Sequence, residues 1–324
     1  MGPARVTARA RVTAPALGPP PLLKQEGSCP NKELPSSDEE GWRAKRRGGC
    51  QGIEGRMSAS PAIELRNVSL SFDDKRVISD ISFALGPGET LILLGVTGSG
   101  KSVLLKVILG LLKPDSGLVL IEGQDIVSLS EEMLQPIRAR MGIVFQEGAL
   151  FDSLSVYDNV AYRLREEHVT DEAVIERRIR EVLRFVEMEA AIEKMPSELS
   201  GGMRRRVAVA RAIVSVPAIM LYDSPTAGLD PVTSYTIDVL IAKLRDIQHV
   251  SSVVVTHRLQ DAFTLANNFF SAEKQTLVSR SELDRADSMV PSNFMVLRDG
   301  EIYFYGNEQE LAGSTDPYLR RFLA

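Results

Sequence analysis

An α/β fold built on a largely parallel sheet is what this 324-residue sequence predicts, and three observations carry the prediction. Thr90-Leu91-Ile92-Leu93-Leu94 is an apolar strand that runs into a glycine-rich loop and then an amphipathic helix. Ala218-Ile219-Met220-Leu221-Tyr222 and Ser252-Val253-Val254-Val255-Thr256 are apolar without alternation, as strands are when both faces of a sheet are covered. Strand-like and helix-like stretches alternate along the chain, the order that produces crossovers and parallel pairing.

Residues 1–60 stand apart from this pattern. They hold seven of the seventeen prolines, the single tryptophan Trp42, both cysteines (Cys29 and Cys50) and a basic surplus, with neither helical nor strand periodicity. Two readings remain for them: a disordered extension, or residues upstream of a true start at Met57. Lys45-Arg46-Arg47 reads as a solvated charge run. The two cysteines lack zinc-type spacing and point to a reducing, intracellular compartment.

From Ala62 the pattern changes. Ile63, Leu65, Leu70 and Phe72 alternate with polar residues, as do Val77, Ile81, Phe83 and Leu85. Both runs predict half-buried strands, ending at Gly86-Pro87-Gly88. The helix after the glycine-rich loop stops at Lys113-Pro114-Asp115-Ser116-Gly117, and Leu118-Val119-Leu120-Ile121 is the next strand. Met141-Gly142-Ile143-Val144-Phe145 is a buried strand leading to Gln146. Residues 156–190 read as helical, with Ile175, Ile179, Val182 and Val186 forming one apolar stripe. Pro196-Ser197-Glu198-Leu199-Ser200-Gly201-Gly202 interrupts that stretch, and a helix restarts from Met203 to Val214. A helical subdomain over about 147–214 is therefore expected inside one domain spanning 61–324. Near the end, Phe294-Met295-Val296-Leu297 and Ile302-Tyr303-Phe304-Tyr305 flank Asp299-Gly300, a hairpin signal.

The loop itself, Gly95-Val96-Thr97-Gly98-Ser99-Gly100-Lys101-Ser102, fits G-x-x-x-x-G-K-[ST]. Its glycines let successive backbone N–H groups turn toward one anion, and the helix N-terminus adds its positive dipole end. Lys101 would reach the β- and γ-phosphates of a nucleotide, and the Ser102 hydroxyl would take one position on Mg²⁺. Asp223 ends an apolar strand, where a second carboxylate on the Mg²⁺ side belongs. Gln146 ends another strand and offers an oxygen to the metal or its water. His257 follows the strand 252–256 and could hydrogen-bond a γ-phosphate. Leu199-Ser200-Gly201-Gly202 at a helix start is a second phosphate-shaped feature. Taken singly, these are a turn former, a surface glutamine, a loop histidine and a cap; their joint order along one chain is what points to a site.

Composition excludes other classes. Forty-three acidic against thirty-eight basic groups, a net charge of −5, argues against a general nucleic-acid binder. No run approaches the ~18 apolar residues of a membrane span, so a role at a membrane requires a partner subunit.

The order of the loop 95–102, Gln146, Leu199-Ser200-Gly201-Gly202-Met203, Leu221-Tyr222-Asp223, Gly228-Leu229-Asp230 and His257 resembles the nucleotide-binding subunit of ABC transporters. The resemblance covers about 62–324. It implies a P-loop NTPase of ABC type, with a RecA-like core, an inserted helical subdomain and N-terminal antiparallel strands. It implies ATP and Mg²⁺ as cofactors, with Ser102, Gln146 and Asp223 toward the metal. It also implies a head-to-tail homodimer, with Ser200, Gly201 and Gly202 reaching the partner's nucleotide and Asp230 crossing between the sites. Phe72 stands where the family stacks an aromatic on adenine, although its own alternation would equally make it a core residue. Leu150-Phe151-Asp152-Ser153-Leu154-Ser155-Val156-Tyr157-Asp158-Asn159-Val160, the run Met195 to Met203 and Thr315-Asp316-Pro317-Tyr318 are similar to the Mla-type phospholipid-trafficking systems. That similarity implies an integral membrane permease, an MCE-domain lipid-binding protein, and a peripheral place on the cytoplasmic face of the inner (plasma) membrane.

Two departures accompany the resemblance. The family carries a glutamate after the strand-end aspartate, as positioner or base for the attacking water, whereas this chain reads Asp223-Ser224-Pro225. Loss of a general base costs ~10²–10⁴ in rate, which leaves slow hydrolysis or a nucleotide-gated clamp. Between Phe270 and Asn293 the chain inserts about twenty polar residues where the family passes from helix to strand, either a surface insertion or a partner contact. A soluble ABC ATPase of translation or repair would need a second cassette, a coiled-coil insertion or a zinc site, and the sequence has none of these. A different import cargo stays open.

Overall fold

The computed structural model describes residues 60–73, 75–280 and 292–323. The expectations for 1–59, and for the part of the polar insertion at 281–291, lie outside the described residues. Ile63–Phe72 (β1) and Lys75–Leu85 (β2) pair antiparallel, with Ile63 opposite Leu85. Their alternation buries Ile63, Leu65, Val68, Leu70, Ile81 and Phe83, but Phe72 at the end of β1 is 44% exposed, so it is not a core residue. Thr90–Gly95 (β3) leads through the glycine-rich loop into Lys101–Ile108 (α1). Ser116–Ile121 (β4) then returns to β1 and, with the short Gln124–Asp125 (β5), completes a four-stranded sheet in the order β2-β1-β4-β5. Val119 and Ile121 of β4 are buried and Leu118 is exposed, the pattern of an antiparallel strand with one solvated face.

Glu131–Ala139 (α2) precedes Met141–Val144 (β6). Between β6 and Ile219–Asp223 (β7) the regular elements are all helical: Val156–Glu166 (α3), Glu172–Phe185 (α4), two 3₁₀ turns, and Gly201–Ile213 (α5). The stretch 156–190 is not continuous. His168 takes φ 60, and Asp171 caps α4 by accepting from the N–H groups of Ala173 and Val174, so capping chemistry splits what periodicity joins. Ile175, Ile179, Val182 and Val186 are all buried.

Pro231–Gln248 (α6), Ser251–Val255 (β8) and Leu259–Asn267 (α7) follow. Asn268–Ser271 (β9) and Thr276–Ser279 (β10) form a small antiparallel hairpin that packs on α6. The insertion expected to be polar throughout thus begins with a structured hairpin, because Phe270 and Val278 are buried against the core. Ser292–Arg298 (β11) and Glu301–Gly306 (β12) meet at Asp299-Gly300, φ 52 and 82, the left-handed pair that a two-residue hairpin turn requires. Glu308–Ala312 (α8) and Pro317–Leu323 (α9) close the chain.

The central sheet runs β12-β11-β3-β8-β7-β6, with every pair parallel except β11 with β12. Its unbroken apolar strands serve two cores at once. Ile92, Leu94, Met220, Tyr222 and Val254 pack with the helices on one face, while Leu91, Leu93, Ile219, Leu221, Val253 and Val255 pack with α1 and the antiparallel sheet on the other. That two-sided burial is why these strands do not alternate.

Candidate functional site

Register brings the motif residues to one edge of the sheet. Val255 pairs with both Leu93 and Asp223, and Val144 pairs with Tyr222. The glycine-rich loop after β3, His257 after β8, Asp223 at the end of β7 and Gln146 beyond β6 therefore all leave the parallel strands at their C-terminal ends, where α/β sheets bind ligands.

The loop is shaped by its glycines. Gly95, Gly98 and Gly100 have φ of 152, 83 and 100. A side chain on Gly95 would place its Cβ 2.5 Å from the Leu297 carbonyl oxygen, and one on Gly100 would meet the Val77 carbonyl oxygen at 2.8 Å. Gly98 faces open space. Gly100 caps α1 without a side-chain acceptor, so the first N–H groups of the helix are left to a ligand anion. Lys101 Nζ donates to the carbonyls of Gly95 (2.8 Å) and Val96 (2.7 Å) and reaches Ser99 Oγ at 3.3 Å. Burial pulls its ammonium below the usual lysine range, and the Asp223 carboxylate partly offsets that. A cation, free N–H groups and the oxygens of Ser102, Asp223 and Gln146 form a donor set that fits a nucleotide phosphate with Mg²⁺, a hard cation that takes oxygen ligands. Val96, Thr97, Ser102, Gln146 and His257 are exposed, Ser99 is buried and Asp223 half-buried.

Ser224 occupies a left-handed conformation at φ 51, unusual for a non-glycine residue. Its N–H donates to the Val255 carbonyl (2.9 Å) and its hydroxyl lies 3.5 Å from Asp223 Oδ1. The loop it opens runs to Asp230, which caps α6: one carboxylate oxygen accepts from the N–H groups of Val232 and Thr233, both at 3.0 Å, and the other from the Thr233 hydroxyl at 2.5 Å. These bonds, led by the Thr233 hydroxyl, hold its carboxyl below the usual range.

Ser200, Gly201 and Gly202 open α5. Ser200 Oγ accepts from the Met203 N–H at 3.2 Å. An added Cβ on Gly201 would touch Leu229 at 3.2 Å, and one on Gly202 would lie 2.3 Å from Thr233 Cγ2. The helix start thus packs against the same residues that surround Asp230. Sequence reasoning missed what joins them: Arg205, buried, donates to the carbonyls of Pro225 (2.9 Å) and Ala227 (2.8 Å). Burial lowers its guanidinium below the usual arginine range. Among Arg204, Arg205 and Arg206, only the helix phase could have marked it.

A second surface lies beside the helical stretch. The rings of Phe151 and Tyr162 meet at 4.8 Å, tilted by 49°, in a groove of about 450 Å³ between α2, β6 and α3, and both residues are more than 40% exposed. Arg211 lies over Phe151 and donates to the carbonyls of Gly148 and Ala149, fixing the groove wall.

The chain is similar to known proteins over most of its length. The ABC transporter family profile matches residues 78–227. The chain is 36% identical over 272 residues to the probable ribonucleotide transport ATP-binding protein mkl of Mycobacterium leprae (strain TN), covering 84% of this chain and 71% of that protein. It is 33% identical over 267 residues to the intermembrane phospholipid transport system ATP-binding protein MlaF of Escherichia coli (strain K12), covering 82% and 90%. Among solved structures, a dimeric post-hydrolysis state of the ATP-binding cassette MJ0796 bound to ADP and Pi superposes with a TM-score of 0.63 at 28% identity, covering 76% of this chain and 98% of that one.

Proposed function

Because the chain belongs to the ABC transporter family, we propose that it is the ATP-hydrolysing subunit of a system that moves phospholipid between membranes through a separate permease. The observation that supports this most is the meeting of the 95–102 loop, Asp223, Gln146 and His257 at one sheet edge. Loop N–H groups and Lys101 would hold the ATP phosphates, and Phe72, exposed at the end of β1, would stack on adenine. Ser102, Asp223 and Gln146 would hold Mg²⁺, which when bound neutralises charge developing on the phosphates. His257 would orient the γ-phosphate. Ser200, Gly201 and Gly202 would complete the partner's site in a head-to-tail homodimer, with Asp230 at the seam. The exposed Phe151–Tyr162 groove would receive a helix of the permease, which keeps the subunit peripheral on the cytoplasmic face. An MCE-domain protein would carry the lipid. The name of the mycobacterial relative favours a different cargo, and this subunit does not itself contact cargo.

Ser224 supports a second reading. A serine in the position of the family glutamate is a poor base, so turnover is slow; with no turnover at all, ATP would serve as a clamp that orders the dimer. The test is ATP turnover with the permease for wild type, Ser224→Glu and Lys101→Ala. Wild-type turnover above the Lys101→Ala background, accelerated at least about tenfold in Ser224→Glu, supports a motor with a weakened base. Wild-type turnover at background, with ATP binding and dimerisation intact, overturns the motor in favour of the clamp. A chain never recovered with a membrane permease would sink both transport readings.

A further inference from the structure

Arg205 of α5 is a buried cation held by carbonyl oxygens. It is 6% exposed, and it donates through Nε to Pro225 at 2.9 Å and through Nη2 to Ala227 at 2.8 Å. Among the described residues no carboxylate bonds it, and burial outweighs the attraction of Glu147. An apolar side chain of similar length would fill the same space without giving up the hydration of a charge. What it could not supply is two donors in a fixed fork.

The two carbonyls belong to the turn that fixes residue 224. Ser224, directly after Asp223, holds a left-handed backbone at φ 51, which a residue with a side chain keeps only where its surroundings impose it. Two backbone bonds close the turn: the Ser224 N–H donates to the Val255 carbonyl at 2.9 Å and the Ala227 N–H to the Ser224 carbonyl at 3.1 Å. The Pro225 and Ala227 carbonyls accept from no backbone donor among the described residues, and the Arg205 fork takes both. The Thr226 hydroxyl between them is anchored separately, on Asp261. We propose that Arg205 is a positioning residue for hydrolysis: its fork holds residue 224 at the nucleotide edge, so that the rate of turnover depends on it and the binding of ATP does not. It acts through residue 224, because both of its acceptors lie in the turn and neither in the phosphate loop.

Holding and filling are separable. Arg205→Met keeps a stem of similar length and removes every donor, whereas Arg205→Lys keeps a donating cation on a shorter reach. If the side chain only fills space, Met serves at least as well as Lys; if its fork holds the turn, the order is reversed. The place of the loss differs too. Serine is a weak base, so a misplaced Ser224 costs little. A glutamate at the same position would carry more of the reaction, so misplacing it costs more.

The experiment measures ATP turnover beside the permease for Arg205→Met and Arg205→Lys, each in the wild-type chain and together with Ser224→Glu. Amide hydrogen exchange of the nucleotide-free full chain accompanies it. With Ser224→Glu, Arg205→Met is expected to lower kcat about tenfold while KM for ATP stays within about twofold, and Arg205→Lys to recover part of that loss. The loss in the wild-type chain is expected to be smaller. In Arg205→Met the Ser224 and Ala227 amides should exchange at least about tenfold faster, with those of β8 unchanged. Equal losses in both backgrounds, a raised KM at constant kcat, or Met matching Lys overturns the proposal. Should Arg205→Met not fold, Arg205→Lys decides: lowered kcat at constant KM with faster exchange at Ser224 and Ala227 supports it, and wild-type values for both overturn it. The kinetic arm rests on the hydrolytic reading above. If every chain sits at the Lys101→Ala background, that reading fails by itself and exchange alone decides: faster Ser224 and Ala227 amides support the hold by Arg205, and unchanged ones overturn it.

Discussion

Gly202 shows how one residue can be fixed by a neighbour rather than by its own backbone. The closest atom to an added Cβ is Thr233 Cγ2, 2.3 Å away, so Gly202→Ala must displace the start of α6. It should cost about 1–3 kcal/mol, read by chemical denaturation, and Thr233→Ser in the same chain should recover part of it, since serine lacks that methyl but keeps the hydroxyl that Asp230 accepts. A double mutant no more stable than Gly202→Ala would show that the contact is not the cause. Lys101 behaves differently. Its half-buried ammonium bonds only the loop's own oxygens, so Lys101→Ala should leave the melting temperature within a degree or two, while ATP affinity measured by calorimetry falls about ten- to hundredfold, the worth of a charge-assisted bond.

At the scale of elements, α5 depends on Ser200 twice over. The hydroxyl caps the helix by accepting from Met203, and in the proposed dimer it also contacts the partner's nucleotide. Ser200→Ala should cost about 1 kcal/mol in the isolated chain and should also abolish ATP-dependent dimerisation in gel filtration. Asp171→Ala, which uncaps α4, should cost a similar ~1 kcal/mol and leave dimerisation intact. If both variants dimerise equally well, Ser200 is a cap and nothing more.

For the whole molecule, the groove proposed to receive the permease is lined by side chains other than those of the nucleotide edge. Phe151 and Tyr162 expose their paired, tilted rings in the groove beside α2 and α3. Phe151→Ala should leave ATP binding unchanged and reduce recovery with the permease from solubilised membranes severalfold, as the loss of an exposed aromatic anchor does. Equal recovery would place the permease elsewhere. No helix among the described residues is long and apolar enough to cross a membrane, so on the proposed reading that groove carries the attachment.

Patterns short in sequence were legible at once. The 95–102 loop, the two-sided strands β7 and β8, the Asp299-Gly300 turn and the apolar stripe of α4 each follow from rules that act within a few residues: φ preference, side-chain period and capping. The family and its motif order follow from the same local signals. Other features depended on groups far apart in the chain. β4 joins the antiparallel sheet rather than the parallel one, the polar insertion opens with a hairpin on α6, and Phe72 lies exposed although its strand alternates. The buried Arg205 and the burial of Asp238 and Asp261 are likewise invisible in sequence, because a charge becomes costly only where packing removes its water. The sequence by itself determined the family and which stretches become strands and helices. Only the tertiary structure decided which of them meet, because burial and long-range pairing are properties of the packed chain and not of any stretch of it.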